Sequence, residues 1–373
     1  MAGAILIAAG GTGGHLFPAE ALAVVLGDRG WRIHLATDHR VEAYGQDFPA
    51  EAVHIIPSAT LTGSPFAALS ALYSVGRGVM KARRVVREIA PQAAIGFGGY
   101  PTLPPLVGAV SRGVPTIIHE QNAVLGRANR FLSRRATAIA TSFSTVGGAA
   151  NLASRLVETG NPVRAAVRAA SSLPYDERQP GTPLALLVFG GSQGARFMSD
   201  LVPPALALMP ETVRKTLKVT QQCRPEDIAR VTEAYREINI DAELEPFFRD
   251  MPERIARSHL VICRAGASTV AELAVIGRPA IMVPLPHALD QDQKANAGVL
   301  AEAGGGWMIE QKDMTPERLA NDLVKFIDDP KPLAAAAEAA ASIGRPDAVE
   351  RLADLVERVA AGHKPKAREG FTA

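Results

Sequence analysis

Cysteine is nearly absent: the 373 residues hold only Cys223 and Cys263. Two cysteines cannot build a disulfide framework, and no zinc-type spacing exists, so a reducing compartment is expected. Neither sign of charge dominates. Forty Lys and Arg stand against 38 Asp and Glu, a net charge of +2. That excludes a whole-protein field for a polyanion, and no nucleic-acid partner is expected. No run of about 20 apolar residues occurs, so no spanning helix is expected. The first residues lack a basic stretch before a long apolar one and open directly into a strand, so no signal peptide is expected.

What is present is a chain with 47% hydrophobic and 21% charged residues, the balance of a globular protein. Its length is too great for one ordinary core, and two domains are the natural expectation. The stretch ILIAAGGTGGHLFP (5–18) sets the chemistry. Ile5 to Ala9 form an apolar run without alternation, the pattern of a buried parallel strand. Gly10, Gly11, Gly13 and Gly14 end it, and AEALAVVLGDRG then reads as a helix. Strand, glycine loop and helix start together aim backbone N–H groups and a helix dipole at one spot, which suits a phosphate. The loop is neither a Walker A sequence nor G-x-G-x-x-G, and His15 stands inside it.

Apolar runs alternate with helical patterns along the chain. Runs at 5–9, 32–36, 93–97, 116–119 and 138–141 form one βαβ series. A Ser-, Pro- and charge-rich stretch, ASSLPYDERQPGTP (170–183), reads as a linker. A second series follows at 184–189, 217–220, 242–246, 260–263 and 280–284. Both series predict α/β domains with doubly wound parallel sheets. VFGGSQGARF (188–197) repeats the position of the first glycine loop. The tail HKPKAREGFTA (363–373) has no periodicity and is expected to be disordered.

Polar residues concentrate where these strands end. IGFGGYPTLPP (95–105) is a second glycine loop in the first domain, and IIHEQNAVLGRANRFL (117–132) sets His119, Glu120, Gln121 and Asn122 in one loop. Asn122 alone reads equally as a helix cap. GGSQGA (190–195) offers Ser192 at a helix start. CRAGASTVAEL (263–273) places Arg264 at a strand end and Gly266 at a turn. Thr269 and Glu272 have the spacing of a capping box. A cap leaves Arg264 and the lack of bulk at 265–267 unexplained, whereas a diphosphate at the helix start and a ribose near Glu272 account for both. PLPHALDQDQKANA (284–297) gathers Asp290, Gln291, Asp292, Gln293 and Asn296 at another helix entry.

In this order, GGTGGHLFPA, GFGGYPT, HEQNAVLG, GNPVR, GGSQGA, CRAGASTVAEL and DQDQKANA closely resemble the MurG-type glycosyltransferases. The resemblance implies a GT-B fold, two Rossmann-like domains facing a cleft. It implies transfer of N-acetylglucosamine from UDP-N-acetylglucosamine to the muramoyl 4-hydroxyl of undecaprenyl-pyrophosphoryl-N-acetylmuramoyl-pentapeptide, with inversion. It places the donor at Thr12, Gly13, Gly14, Asn122, Arg164, Ser192, Phe248, Arg264, Ala267, Ser268, Thr269, Glu272 and Gln293. Phe248 departs from the family's aliphatic residue, so only a backbone role carries over. Gln291-Asp292-Gln293 departs from the family's Asp-His-Gln, which leaves the role of Asp292 open. Gly98, Gly99 and Tyr100 are candidates for the acceptor diphosphate. The expected division is 1–162 on the acceptor and membrane side and 163–345 for the UDP-sugar. A helix over 346–361 is expected to return to the first domain, and a tail covers 362–373.

An acceptor hydroxyl needs a base near neutral pH, and His15 is the candidate. Helix N-termini and Arg164 or Arg264 can carry the leaving diphosphate's charge, so no metal and no cofactor is expected. The lipid acceptor implies a peripheral protein on the cytoplasmic face of the cell (inner) membrane. Proteins of cell-wall synthesis or division are candidate partners. The helical stretch 64–89 carries Phe66, Leu69, Leu72, Tyr73, Val79 and Met80 beside Lys81, Arg83, Arg84 and Arg87. It reads as an interfacial contact with anionic headgroups, or else as a solvated helix on the sheet. Two other readings compete: a nucleotide-sugar-binding protein without transfer, and another GT-B enzyme such as a UDP-N-acetylglucosamine 2-epimerase.

Overall fold

A computed structural model describes residues 3–10, 13–39, 48–59, 65–179, 182–190 and 196–364. The chain forms two compact units, residues 1–164 with 345–373, and residues 165–344.

The first unit is built on seven parallel strands: β1 (Ala4–Ala8), β2 (Arg32–Thr37), β3 (Ala52–Ile55), β4 (Ala93–Gly96), β5 (Thr116–Glu120), β6 (Ala138–Thr141) and β7 (Leu156–Glu158). Their order is β3-β2-β1-β4-β5-β6-β7. Ile5 pairs with Ile33 on one side and Ala93 on the other. β1, β4, β5 and β6 are buried throughout, because helices cover both faces of the sheet. One face packs Leu22 and Leu26 of helix Gly13–Asp28 with Leu352, Leu355 and Val356 of helix Ala348–Ala360. Arg29 pairs with Asp354 and Glu357, and the Trp31 indole N–H donates to Glu357. The other face packs Ala82 and Val86 of helix Pro65–Ile89 with Leu106 and Ala109 of helix Leu103–Val110. Gly78 is required here: a Cβ would stand 2.1 Å from the Pro57 carbonyl oxygen.

The second unit repeats the plan with six parallel strands: β8 (Leu184–Phe189), β9 (Leu217–Gln222), β10 (Ala242–Glu245), β11 (Leu260–Cys263), β12 (Ala280–Met282) and β13 (Gly306–Met308). The order is β10-β9-β8-β11-β12-β13. In both units the strand order reverses beside the first strand, at β1/β4 and at β8/β11. Ligands of such sheets bind outside the carboxyl ends at this switch point.

Three strands, β3, β7 and β13, go beyond the apolar runs of the sequence. All three are short and only partly buried, so no continuous apolar run marks them. The stretch 170–183 also differs from a free linker. Buried Arg278 donates to the carbonyls of Leu173 and Pro174. Arg178 donates to the Ile327 carbonyl, and the Tyr175 hydroxyl to that of His259. Its polar composition therefore reflects a segment fastened to the second unit by hydrogen bonds from side chains to backbone carbonyls.

Candidate functional site

In the first unit the loops after β1, β4 and β5 meet. His15 lies in the first turn of helix Gly13–Asp28 and is half-buried. Its ring rests against the backbone of the second glycine loop. A Cβ on Gly98 would meet the ring at 3.5 Å, and one on Gly99 likewise. Both glycines have positive φ, +87° and +74°, which side chains rarely adopt. Backbone shape, rather than lack of space, therefore favours glycine at both positions. The Thr102 hydroxyl donates to the Gly99 carbonyl at 2.8 Å and closes the turn that carries Tyr100.

The loop after β5 is organised by Glu120, a buried carboxylate. Oε1 accepts from the Asn122 backbone N–H at 3.0 Å and from Asn122 Nδ2 at 3.3 Å. Oε2 accepts from the Gly126 N–H and from Asn129 Nδ2, both at 2.9 Å. Burial lifts its pKa, and the four donors oppose that shift. Gln121 reaches His15: its Nε2 lies 3.3 Å from His15 Nδ1 and 3.3 Å from the Phe97 carbonyl. His119 is fully buried and donates from Nε2 to the Gly160 carbonyl at 3.1 Å. Burial pulls its pKa down to about 4, so it is neutral at physiological pH. Arg164 lies with its guanidinium 5.1 Å from the centre of the Phe17 ring, two residues past His15.

In the second unit β11 leads into helix Ala267–Ile276, whose N-cap is Gly266. Thr269 is therefore the third helical residue, and no side chain caps this helix. The spacing of Thr269 and Glu272 is not a capping box. Ala267 is buried, while Ser268, Thr269 and Glu272 are half-buried. Gln293 joins two loops: its Oε1 accepts from the Ala265 N–H at 3.3 Å and the Leu285 N–H at 3.0 Å. Asn296, fully buried, donates to the Ala265 carbonyl. With its oxygen engaged, the Gln293 side chain presents its NH2 as donor.

Arg264 is buried and committed within the protein. It donates to the carbonyls of Val283 and Pro284 and, at 2.7 Å, to Gln311 Oε1. Its guanidinium lies 5.2 Å from the Phe197 ring centre. Burial lowers its pKa. Phe248 is also buried, with the Arg254 guanidinium 4.1 Å from its ring centre and held there by Glu243 and Asp250.

Asp290 and Asp292 have an Asp-x-Asp spacing, which the expectation of metal-free chemistry passes over. Asp290 and Gln291 both adopt positive φ, and Asp292 Oδ1 accepts from the Gln293 N–H at 2.7 Å. Burial raises the Asp292 pKa. Among the described residues no group of three or more His, Cys, Asp or Glu could hold a metal ion. Thr12 and Ser192 lie outside the described residues, and Gly13 and Gly14 begin the helix that carries His15.

Sequence reasoning missed Asn129 and Phe17, and took Gln121 and Asn296 only as members of polar clusters. Asn129 and Phe17 sit inside helical patterns, and no local signal separates them from packing residues. Asn296 is visible as a polar residue at the helix entry, but its burial beside Ala297 and Leu300 is not.

Two parallel sheets of this order, with polar loops at both switch points, define a GT-B glycosyltransferase fold. Residues 5–141 match the glycosyltransferase family 28 N-terminal domain, and residues 185–352 match its C-terminal domain. A Mesorhizobium japonicum protein named UDP-N-acetylglucosamine--N-acetylmuramyl-(pentapeptide) pyrophosphoryl-undecaprenol N-acetylglucosamine transferase is 55% identical over 96% of both chains. A Methylobacterium protein of the same name is 56% identical, over 95% of this chain and 96% of its own. The crystal structure of Acinetobacter baumannii MurG superposes with a TM-score of 0.78 at 31% identity, over 95% of this chain and 99% of the other. A UDP-N-acetylglucosamine 2-epimerase from Listeria monocytogenes, described as putative, shares the fold at 14% identity and a TM-score of 0.66. The chain belongs to glycosyltransferase family 28 and, within it, to the MurG-type transferases.

Proposed function

We propose that the protein moves N-acetylglucosamine from UDP-N-acetylglucosamine to the 4-hydroxyl of the muramoyl sugar in undecaprenyl-pyrophosphoryl-N-acetylmuramoyl-pentapeptide. The product is the disaccharide lipid precursor of peptidoglycan. One observation carries the reading: relatives bearing this activity in their names are 50–56% identical across nearly the whole chain.

The chemistry assigns distinct work to the two units. His15 takes the proton of the acceptor hydroxyl as that oxygen bonds to C1 of the donor sugar. The C1–O bond to the diphosphate breaks with its electron pair, and UDP leaves. The transition state is oxocarbenium-like, and attack opposite the leaving group inverts the anomeric centre. The leaving charge meets the N-terminus of helix Ala267–Ile276, with Ser268 and Thr269 in its first turn. Glu272 holds the ribose, Gln293 donates to the nucleotide through its NH2, and the backbone at Phe248 meets uracil. Gly98, Gly99 and Tyr100 serve the acceptor diphosphate, and Asn122 and Arg164 help to bind the donor from the first unit. Arg264 shapes the turn at 265–267 through its hydrogen bonds to Val283, Pro284 and Gln311.

No helix among the described residues is long and apolar enough to cross a membrane. Access to a lipid acceptor then requires a surface contact at the cytoplasmic face of the inner membrane. Helix Pro65–Ile89 supplies it. Tyr73, Arg77, Met80, Arg84 and Arg87 follow helical spacing and are exposed. Phe66 and Leu69 lie among side chains outside the described set.

Transfer of labelled N-acetylglucosamine to a lipid-linked muramoyl acceptor tests the proposal. Release of UDP that depends on the acceptor is expected. Release with no acceptor present would favour an epimerase, and donor binding without release would favour a binding protein.

A further inference from the structure

Gln121 is buried and makes two contacts from one nitrogen. Its Nε2 lies 3.3 Å from the Phe97 carbonyl and 3.3 Å from His15 Nδ1. A carbonyl can only accept, so the part of the amide that faces Phe97 must be the NH2. Turning the amide over would set two oxygens against each other. Phe97 itself cannot swing away: its N–H donates to the Ala8 carbonyl at 2.9 Å, and its ring is buried. The same NH2 therefore faces His15, and Nδ1 of that ring must accept.

A neutral imidazole whose Nδ1 accepts carries its proton on Nε2. We infer that Gln121 sets the tautomer of His15, with the lone pair on Nδ1 and the proton on Nε2. Constraint passes from the β1–β4 backbone through the Phe97 carbonyl to Gln121, and from there to the ring. Gln121 is a positioning residue.

The inference rests on the reading of His15 as the proton acceptor, and it says which nitrogen does the work. Only Nδ1 of this ring can take a proton. The acceptor hydroxyl must therefore reach Nδ1 in the place of the Gln121 NH2, which keeps its bond to Phe97. On transfer the O–H pair becomes the new C1–O bond and the proton goes to Nδ1. The old C1–O pair leaves with UDP. The ring becomes an imidazolium with protons on both nitrogens.

The test is the ring nitrogen spectrum of the full-length protein labelled with ¹⁵N-histidine, with His15→Gln to assign the signal. The expected wild-type pattern is an unprotonated Nδ1 and a protonated Nε2. Gln121→Glu supplies an accepting carboxylate, and the pattern should invert to Nδ1–H. A histidine held in the wrong tautomer costs about 10⁴-fold in kcat in a serine protease triad. At least about a 100-fold loss in kcat is expected here, with donor KM changed by no more than about twofold. Should that variant fail to fold, Gln121→Met keeps the bulk and removes the donor, and the Nδ1 signal must then move. An Nδ1–H ring in the wild type, or a pattern indifferent to both substitutions, overturns the inference. If the Nε2–H pattern holds while His15→Ala retains full turnover, the tautomer stands and the base reading falls.

Discussion

A side chain at Gly99 would meet the ring of His15 at 3.5 Å, although the two residues belong to loops after different strands. The ring thereby packs against a backbone whose positive φ favours glycine. From this placement His15→Ala is expected to lower kcat by about 100-fold or more, the usual scale for a general base, while donor KM changes little. Steady-state kinetics at saturating acceptor checks it, and wild-type turnover would end the assignment.

Glu272 and Gln293 should separate under mutation. Each is expected to contribute about 1–3 kcal/mol of hydrogen bonding to the nucleotide, so either change to alanine raises donor KM. Glu272→Ala should shrink the rise in melting temperature that the donor produces; the residue does not cap its helix. Gln293→Ala should lower the melting temperature itself, since the N–H groups of Ala265 and Leu285 lose their acceptor. Thermal melts with and without donor read both effects. A Glu272→Ala protein that melts early and binds donor normally would return that residue to a structural role.

Transfer should persist in excess EDTA. A helix N-terminus can stabilise the diphosphate, and Asp292 already spends one oxygen on the Gln293 N–H. Activity that collapses on chelation and returns with magnesium would point to Asp290 and Asp292 as ligands.

His119 makes stability depend on pH. Its folded pKa of about 4 lies below the ordinary histidine value of 6.5, so the unfolded chain binds the proton more readily. Stability is full above pH 6.5 and drains as pH falls toward 4. Between pH 7 and pH 5 the loss amounts to about 2 kcal/mol. Glu120, raised by burial, acts in the opposite direction as pH rises. The comparison is therefore made between wild type and His119→Gln, which keeps a donor for the Gly160 carbonyl. Urea unfolding should show a smaller loss in the variant, and equal losses would remove His119 as the cause.

Binding of helix Pro65–Ile89 to membranes should combine burial of Leu72, Tyr73 and Met80 with attraction of its arginines to anionic lipid. These three apolar side chains are 60–69% exposed. Each basic residue near the surface is worth about 1 kcal/mol, and that part fades with salt. The triple variant Arg83→Glu, Arg84→Glu, Arg87→Glu should stop sedimenting with anionic vesicles. It should keep its activity on a short-chain soluble acceptor. Undiminished binding at low salt would mean that the arginines only solvate the helix.

The two parallel sheets follow from the amino-acid sequence alone. Apolar runs such as Ile5–Ala9 and Leu184–Phe189 suit only strands covered on both faces, and the glycines after them force a turn at the carboxyl edge. Which loops carry polar groups follows from the sequence too, because strand ends and helix starts are local patterns. Tertiary structure decided what those groups do. Arg264 looks free at a strand end, yet both of its terminal nitrogens bond to Val283, Pro284 or Gln311, which only the packed sheet brings near. Thr269 and Glu272 match a cap by spacing, but the helix begins at Ala267 and its cap is Gly266. β3 and β13 form because a paired neighbour offers hydrogen bonds to a half-exposed edge, which leaves little apolar pattern to read. The meeting of His15 with Gln121 lies furthest from the sequence. It depends on β1, β4 and β5 lying side by side, so that the Phe97 carbonyl orients an amide whose nitrogen then selects the state of the ring.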